Sequence, residues 1–230
     1  MNDLCLGIFA KYWEPGKVKT RLGRSIGDEK AAEASHAFVK ASIARFSDLV
    51  PRQVVAYSPN DDKTCKEFSD PKYSGWQTTP QLDGDLGRRM QTFFQDELEA
   101  GAQSIVLLGT DSPNLPLTRL QQALEALETE SVVLGPTEDG GYYLVGISGS
   151  VPPIFNDIPW GTPAVWEATV GRLESRGTRY TALEPWYDVD EIDDLHRLLV
   201  DLKESRENDP CLSELRRHLL KILDYPWPPE

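Results

Sequence analysis

The sequence predicts an α/β fold, a single domain on a mostly parallel mixed sheet flanked by helices. Three observations carry this expectation. Short runs rich in Val, Ile and Leu recur along the 230 residues, as strands buried on both faces require. Apolar stripes of helical period lie between them. One pair of runs is joined by a turn-rich linker too short for a crossover helix, which puts a local antiparallel step into the sheet.

The strand runs are residues 4–9, 53–57, 104–108, 132–134 and 142–147. The first helical stripe is Ala34, Ala37, Phe38, Ala41 and Ala44. Leu86, Met90, Phe93 and Leu98 form a second, Leu117, Leu120, Leu124 and Leu127 a third, and Ile192, Leu195, Leu198 and Leu199 a fourth. Strand–helix alternation of this kind favours parallel pairing with helices on both faces. The exception is the pair 132–134 and 142–147, joined by G-P-T-E-D-G-G. No repeat or low-complexity tract divides the chain, so residues 1–230 are expected to form one domain. Residues 201–230 read as a charged helical extension that ends in Tyr225-Pro-Trp-Pro-Pro-Glu. Prolines exclude helix in that tail, and Trp227 is expected to pack on the body or on a partner subunit.

Composition narrows the function classes. Apolar content of 40% and charged content of 27% describe an ordinary globular protein. A net charge of −13 argues against non-specific binding to nucleic acid or anionic membranes. Cys5, Cys65 and Cys211 lie far apart with no C-x-x-C spacing, as reduced thiols in a cytoplasmic protein do. No basic segment precedes an apolar leader and no apolar run nears 18 residues, so neither export nor a membrane span is expected. An oligomer is compatible with all of this.

Against that acidic background, residues 1–24 hold Lys11, Lys17, Lys19, Arg21 and Arg24 against Asp3 and Glu14. The segment is about +3, leaving about −16 for the rest of a chain of net charge −13. A basic loop directly behind a buried first strand suits phosphate. Lys and Arg give charge-assisted hydrogen bonds, and the Pro15-Gly16 turn lets backbone N–H groups approach closely. In open α/β sheets, ligands bind beyond the carboxyl ends of the strands. The loop is neither G-x-x-x-x-G-K-[ST] nor G-x-G-x-x-G, so it is not an ATPase or dinucleotide motif.

Other constellations follow later strands. Asp111, in Gly109-Thr110-Asp111-Ser112-Pro113, comes directly after a strand and is a candidate ligand for Mg²⁺ or Mn²⁺, hard cations that bridge carboxylates to phosphates. Glu138 and Asp139, before Gly140-Gly141-Tyr142, are candidates for holding an acceptor or taking a proton from its hydroxyl. E-D-G-G is also good turn chemistry. In Trp186-Tyr-Asp-Val-Asp190, Asp188 is a candidate second metal ligand, while Asp190 fits a helix N-cap and has a functional role only as the alternative. Gly84, Asp85 and Gly87, in Gln81-Leu-Asp-Gly-Asp-Leu-Gly, open a helix and are candidates for contacting a ribose or base edge. Trp160 is a candidate to stack on a sugar or base. His36, His196 and His218 have no partner at metal spacing and receive no chemical role.

In order, F-A-K-x-x-x-P-G-x-V-K-T-R-L, Q-x-x-G-D-L-G, G-T-D-x-P, G-P-x-E-D-G-G-Y-Y, P-W-G-T and W-Y-D-V-D resemble a bacterial family of GT-A-type glycosyltransferase-like proteins of poorly defined role. Some members are labelled arsenosugar biosynthesis glycosyltransferases. The resemblance covers residues 4–200. It implies a single Rossmann-like GT-A domain of the nucleotide-diphospho-sugar transferase superfamily, a nucleotide-sugar donor, a hydroxyl acceptor and a divalent cation. It also implies that Lys11, Lys19 and Arg21 hold phosphates, Asp111 the metal, and Gly84, Asp85 and Gly87 the nucleoside. Two departures stand out. Trp13 replaces the family's usual proline, and Asp111-Ser-Pro-Asn114 lacks an Asp-x-Asp pair. The expected function is metal-assisted glycosyl transfer from a nucleotide-diphosphate sugar. The alternatives are nucleotidyl transfer with pyrophosphate release, in which Lys17, Lys19 and Arg21 clamp a triphosphate, and nucleotide binding without turnover.

Overall fold

A computed structural model describes residues 4–73, 75–205 and 209–223. In chain order the elements are β1 (Leu4–Lys11), α1 (Thr20–Ile26), α2 (Asp28–Arg45), β2 (Arg52–Ser58), α3 (Asp62–Phe68), β3 (Gln77–Pro80), α4 (Leu86–Glu99) and β4 (Ser104–Leu108). They continue with α5 (Leu117–Ala126), β5 (Val132–Pro136), β6 (Tyr142–Ser148), α6 (Val165–Ser175), β7 (Tyr180–Ala182), α7 (Ile192–Glu204) and α8 (Pro210–Leu223). The chain divides into two compact units.

The first unit runs through Ala10, Ser47–Gly109 and Leu115–Tyr187. Its described strands form one seven-stranded sheet, ordered β3-β2-β1-β4-β6-β5-β7. β1 pairs parallel with β4, β2 with β3, and β5 with β7. β6 runs antiparallel to both β4 and β5, and the short G-P-T-E-D-G-G linker accounts for its pairing with β5. One sheet face buries Cys5, Val54, Ile105, Leu107, Val132 and Val145 against Met90, Phe93 and Phe94 of α4 and Leu173 of α6. Full burial of each large side chain contributes about 1.5–3 kcal/mol. On the other face Tyr57 stacks on Phe68 at the end of α3, with ring centroids 5.1 Å apart, and α5 packs on β4 and β5.

Two strands were not legible as apolar runs, and the reason is their position. β3 (Gln-Thr-Thr-Pro) and β7 (Tyr-Thr-Ala) are the two edges of the sheet, half exposed, so they need no continuous apolar sequence. Glu97 is buried in the α4 face, and Arg52 compensates its charge with a two-pronged ion pair. The Cys5 thiol donates to the same carboxylate at 3.4 Å, and burial pushes its pKa well up. The three cysteines are free thiols.

The second unit comprises Lys11–Phe46, Thr110–Asn114 and the residues from Asp188 onward. α2 packs on α1 and α8, and α7 packs on α1 and α8. Small side chains at Ala34, Ala37 and Ala41 of α2 are buried, as are Leu212, Leu215 and Leu219 of α8. The end of α2 is pinned by a buried charge. Arg45, whose side chain is 0% exposed, pairs with Asp209 at 2.7 Å and donates to the Pro113 carbonyl at 3.0 Å. Beyond residue 201 the described residues hold the end of α7 and α8, and the Pro/Trp tail, including Trp227, lies outside the described residues. No helix among the described residues is long and apolar enough to cross a membrane.

Candidate functional site

The basic loop begins where β1 ends. Lys17 N donates to the Glu14 carbonyl at 3.0 Å across Pro15 and Gly16. With Gly16 at φ 74°, this is the geometry of a type II turn, which needs glycine at its third position. Lys11 Nζ reaches across to the Lys17 carbonyl at 2.6 Å and closes the loop. Lys17 pairs with Glu14 at 3.1 Å, an exposed contact worth little. Behind the loop three rings stack. Trp13 lies between Tyr12 (4.9 Å) and His36 of α2 (3.8 Å). His36, assigned no chemistry from its spacing, therefore braces Trp13 from the helix side.

Lys19 is the centre of the arrangement. It sits at the N-cap of α1 with φ 44° and ψ 44°, a left-handed conformation that costs a non-glycine residue about 1–3 kcal/mol. Its side chain is only 6% exposed, and its ammonium contacts Asp111 and, at 2.9 Å, Asp190. Burial alone would lower the Lys19 pKa, but the two carboxylates outweigh it and the net shift is upward. Arg21, exposed, lies 3.9 Å from the other Asp190 oxygen.

The two carboxylates reach Lys19 from distant segments. Asp111 stands in the turn after β4, and its carbonyl accepts from Val189 N at 2.8 Å, which lays residues 188–190 beside that turn. The sequence reading of Asp190 as an N-cap is corrected here. Glu191 holds the N-cap of α7, and the Asp194 carboxylate accepts from Glu191 N at 2.8 Å and Asp190 N at 3.0 Å. Asp194 thus takes the capping work, and Asp190 turns its own carboxylate to Lys19. Asp188, the residue favoured from sequence, is half-buried two positions upstream.

Among the described residues, no group of three or more His, Cys, Asp or Glu side chains forms a metal site. Asp111 and Asp190 nevertheless both grip a single cationic atom, the Lys19 ammonium. Mg²⁺ commonly takes one or two carboxylates and completes its shell with phosphate oxygens and water. The donor chemistry of this pair fits that requirement.

The remaining candidates belong to the sheet unit. Asp139 is exposed and folds onto its own turn, accepting from Thr137 Oγ1 at 2.5 Å and Gly141 N at 3.1 Å. Glu138 is exposed, and its N donates to the Trp186 carbonyl at 3.0 Å. Gly140 has φ 91°, a Cβ there would collide with the Pro163 carbonyl, and its own carbonyl accepts from Trp166 N at 2.8 Å. Tyr142 meets Trp160 edge-on, with centroids 6.1 Å apart, and burial raises its hydroxyl pKa well above the usual range. Trp160 also backs onto Gly87, where a Cβ would strike its indole and the Phe155 carbonyl. Asp85 is the N-cap of α4 and accepts from Arg88 N at 2.8 Å, while the Gly84 carbonyl accepts from Arg89 Nε at 2.9 Å. Beside them is a feature the sequence did not signal, a slot of about 80 Å³ lined by Phe9, Ala56, Thr79, Gln81, Arg89 and Asp96. Gln81 Nε2 is tied to the Ala56 carbonyl at 2.8 Å.

Comparison with solved structures places this arrangement among related folds. A protein from Desulfovibrio desulfuricans G20, provisionally described as a nucleotide-diphospho-sugar transferase, is 33% identical over 98% of this chain and 99% of its own, with a TM-score of 0.86. A cytidylyltransferase from Leptospira borgpetersenii serovar Hardjo-bovis is 16% identical over 97% of each chain, with a TM-score of 0.56. A CMP:2-keto-3-deoxy-manno-octonic acid synthetase complexed with CTP is 13% identical over 85% of this chain and 96% of its own, with a TM-score of 0.53. The last two share the fold alone. No curated protein matches the sequence. A family model described as an uncharacterized protein conserved in bacteria (DUF2064) matches residues 44–162. With its nucleotide-diphospho-sugar transferase-like fold and its full-length likeness to the Desulfovibrio protein, the chain belongs to that bacterial family.

Proposed function

We propose that the protein is a cation-assisted transferase acting on a nucleotide-linked diphosphate, with glycosyl transfer from a nucleotide-diphosphate sugar as the leading reading. One observation supports it above all: a basic loop and a pair of carboxylates share the same buried ammonium. The likeness to the Desulfovibrio protein supports the donor class. Asp111 and Asp190, with Asp188 beside them, would hold Mg²⁺ or Mn²⁺, which when bound supplies charge neutralisation at the leaving diphosphate. Lys19 and Arg21 would bind the phosphate oxygens and stabilise the charge that grows on them. Lys11 and Lys17 would keep the loop closed and add positive field around Gly16. Gly84, Asp85 and Gly87 would shape the nucleoside end, next to the Gln81 slot. Asp139 or Glu138 would orient the acceptor hydroxyl and take its proton. Gly140 and Gly141 would let the acceptor approach, with Tyr142 and Trp160 as the apolar wall for a sugar face.

A second reading, nucleotidyl transfer, is served equally by the same residues. The carboxylate pair is split between residues 111 and 190, with no Asp-x-Asp in either turn. Such a pair can serve a triphosphate as well as a diphosphate. The product separates the two readings, since glycosyl transfer releases a nucleoside diphosphate and nucleotidyl transfer releases pyrophosphate. The test incubates the protein with Mn²⁺ and a panel of nucleotide sugars and triphosphates, with both products assayed. Neither product, together with no nucleotide-dependent rise in melting temperature, would overturn the transferase reading. A ligand at 100 times its Kd should add about 2.7 kcal/mol of stability.

A further inference from the structure

We propose that Lys19 is a tethered stand-in for the divalent cation: in the free protein its ammonium balances the Asp111–Asp190 pair, and it leaves that place only when phosphate draws it out. The inference rests on the reading of these two carboxylates as the cation pair.

The side chains are layered in a way that suits an exchange. Lys19 is 6% exposed, whereas Asp111 is 55% and Asp190 36% exposed. The lysine therefore occupies the inner side of the pair, and the carboxylates face solvent. With the ammonium present, the trio carries one negative charge. Without it, two carboxylates stand together, which is the hard-oxygen pairing a divalent cation takes. Arg21 is 3.9 Å from Asp190 and exposed, so it does not fill the inner position.

The pair does not depend on Lys19 to stay assembled. The Asp111 turn is clamped by Arg45 through the Pro113 carbonyl and by Val189 N through the Asp111 carbonyl. Asp190 is held by its backbone N–H to Asp194. Lys19 itself is kept in a left-handed backbone conformation that suits glycine or asparagine better than lysine. Its long side chain is thus retained at a conformational cost, with one end on the phosphate loop and the other between the acids. An arriving phosphate competes with the carboxylates for one ammonium, and a cation competes with the ammonium for the carboxylates. Each ligand therefore favours the other, a reciprocal coupling.

The experiment titrates Mn²⁺ alone, without nucleotide, and reads free metal from its electron paramagnetic resonance signal. Lys19→Met should bind Mn²⁺ at least tenfold more tightly than the unsubstituted protein, and adding Asp111→Asn should abolish the gain. Lys19→Arg, which keeps a cation in place, should remain as weak as the parent. Lys19→Gln carries the same expectation as Lys19→Met and decides the matter should the methionine variant misfold. Equal Mn²⁺ affinity in the parent and the neutral variants, or a gain that survives Asp111→Asn, would overturn the proposal. Because no nucleotide is present, that failure leaves the transferase reading standing, whereas failure of the transferase reading would appear as absence of product in the parent protein.

Discussion

Arg45, at the end of α2, donates to the carbonyl of Pro113 at 3.0 Å and so fixes the turn that presents Asp111. The same guanidinium, fully buried, pairs with Asp209 at 2.7 Å. Removing one partner of a buried pair strands the other charge and costs about 3–5 kcal/mol. Arg45→Met should lower stability by that order in urea unfolding and weaken nucleotide-dependent stabilisation as well. A variant as stable as the parent would show that Arg45 anchors nothing.

The pH dependence of that pair has a definite sign. Burial pushes the Asp209 carboxyl up, but the hydrogen bond from Arg45 and that from Cys211 N outweigh it, and the net shift is downward. A depressed carboxylate contributes stability above its unfolded pKa and loses it as pH falls through the folded value. The parent should therefore lose stability below about pH 4, the ordinary carboxylate range. Asp209→Asn should be less stable at neutral pH and show a flatter acid limb in melting temperature against pH. The Lys19 shift is upward, so its share persists through neutral pH and disappears only beyond the alkaline lysine range.

Asp111→Asn keeps shape and removes charge. It should reduce product release by about a hundredfold or more, the scale of losing one group that stabilises developing charge, with the circular dichroism spectrum unchanged. Retained turnover would sink the cation assignment. Lys17→Ala, by contrast, removes an exposed ion pair with Glu14 and should change stability by less than about 1 kcal/mol.

Gly87→Ala sets two effects against each other. Helix propensity alone favours alanine over glycine inside α4 by about 1 kcal/mol. A Cβ there, however, would run into the Phe155 carbonyl and the Trp160 indole, and overpacking costs about 1–3 kcal/mol. Net destabilisation in a denaturant titration is the expected result. A stabilised variant would mean that Trp160 moves away freely.

Much of the sheet was legible because its inner strands are buried on both faces, and such strands must be apolar. The run at 104–108 matches β4 in full, and the others differ at their ends by one or two residues. β3 and β7 escaped because edge strands can be polar. α1 and α3 escaped because seven residues give too few turns to display a stripe. The sequence also put a basic loop, Asp111 and the W-Y-D-V-D segment on one list of candidates. What it could not give was the pairing. Asp190 looked like a cap because it precedes a helix, and only the hydrogen bonds to Asp194 reveal that the cap lies elsewhere. Arg45 gave no signal either, since an arginine at a helix C-terminus is ordinarily explained by the helix dipole.

The Lys19–Asp190 contact joins residues 171 positions apart. At ribosomal speeds of about 5–20 residues per second, the lysine is made roughly 9–34 s before its distal acid. Any copy that stops short of Asp190 carries all seven described strands and Asp111 but lacks the second acid of the Lys19 pair. The two-acid clasp on the lysine therefore closes only after the last described strand has been made, and until then Asp111 alone is available to it.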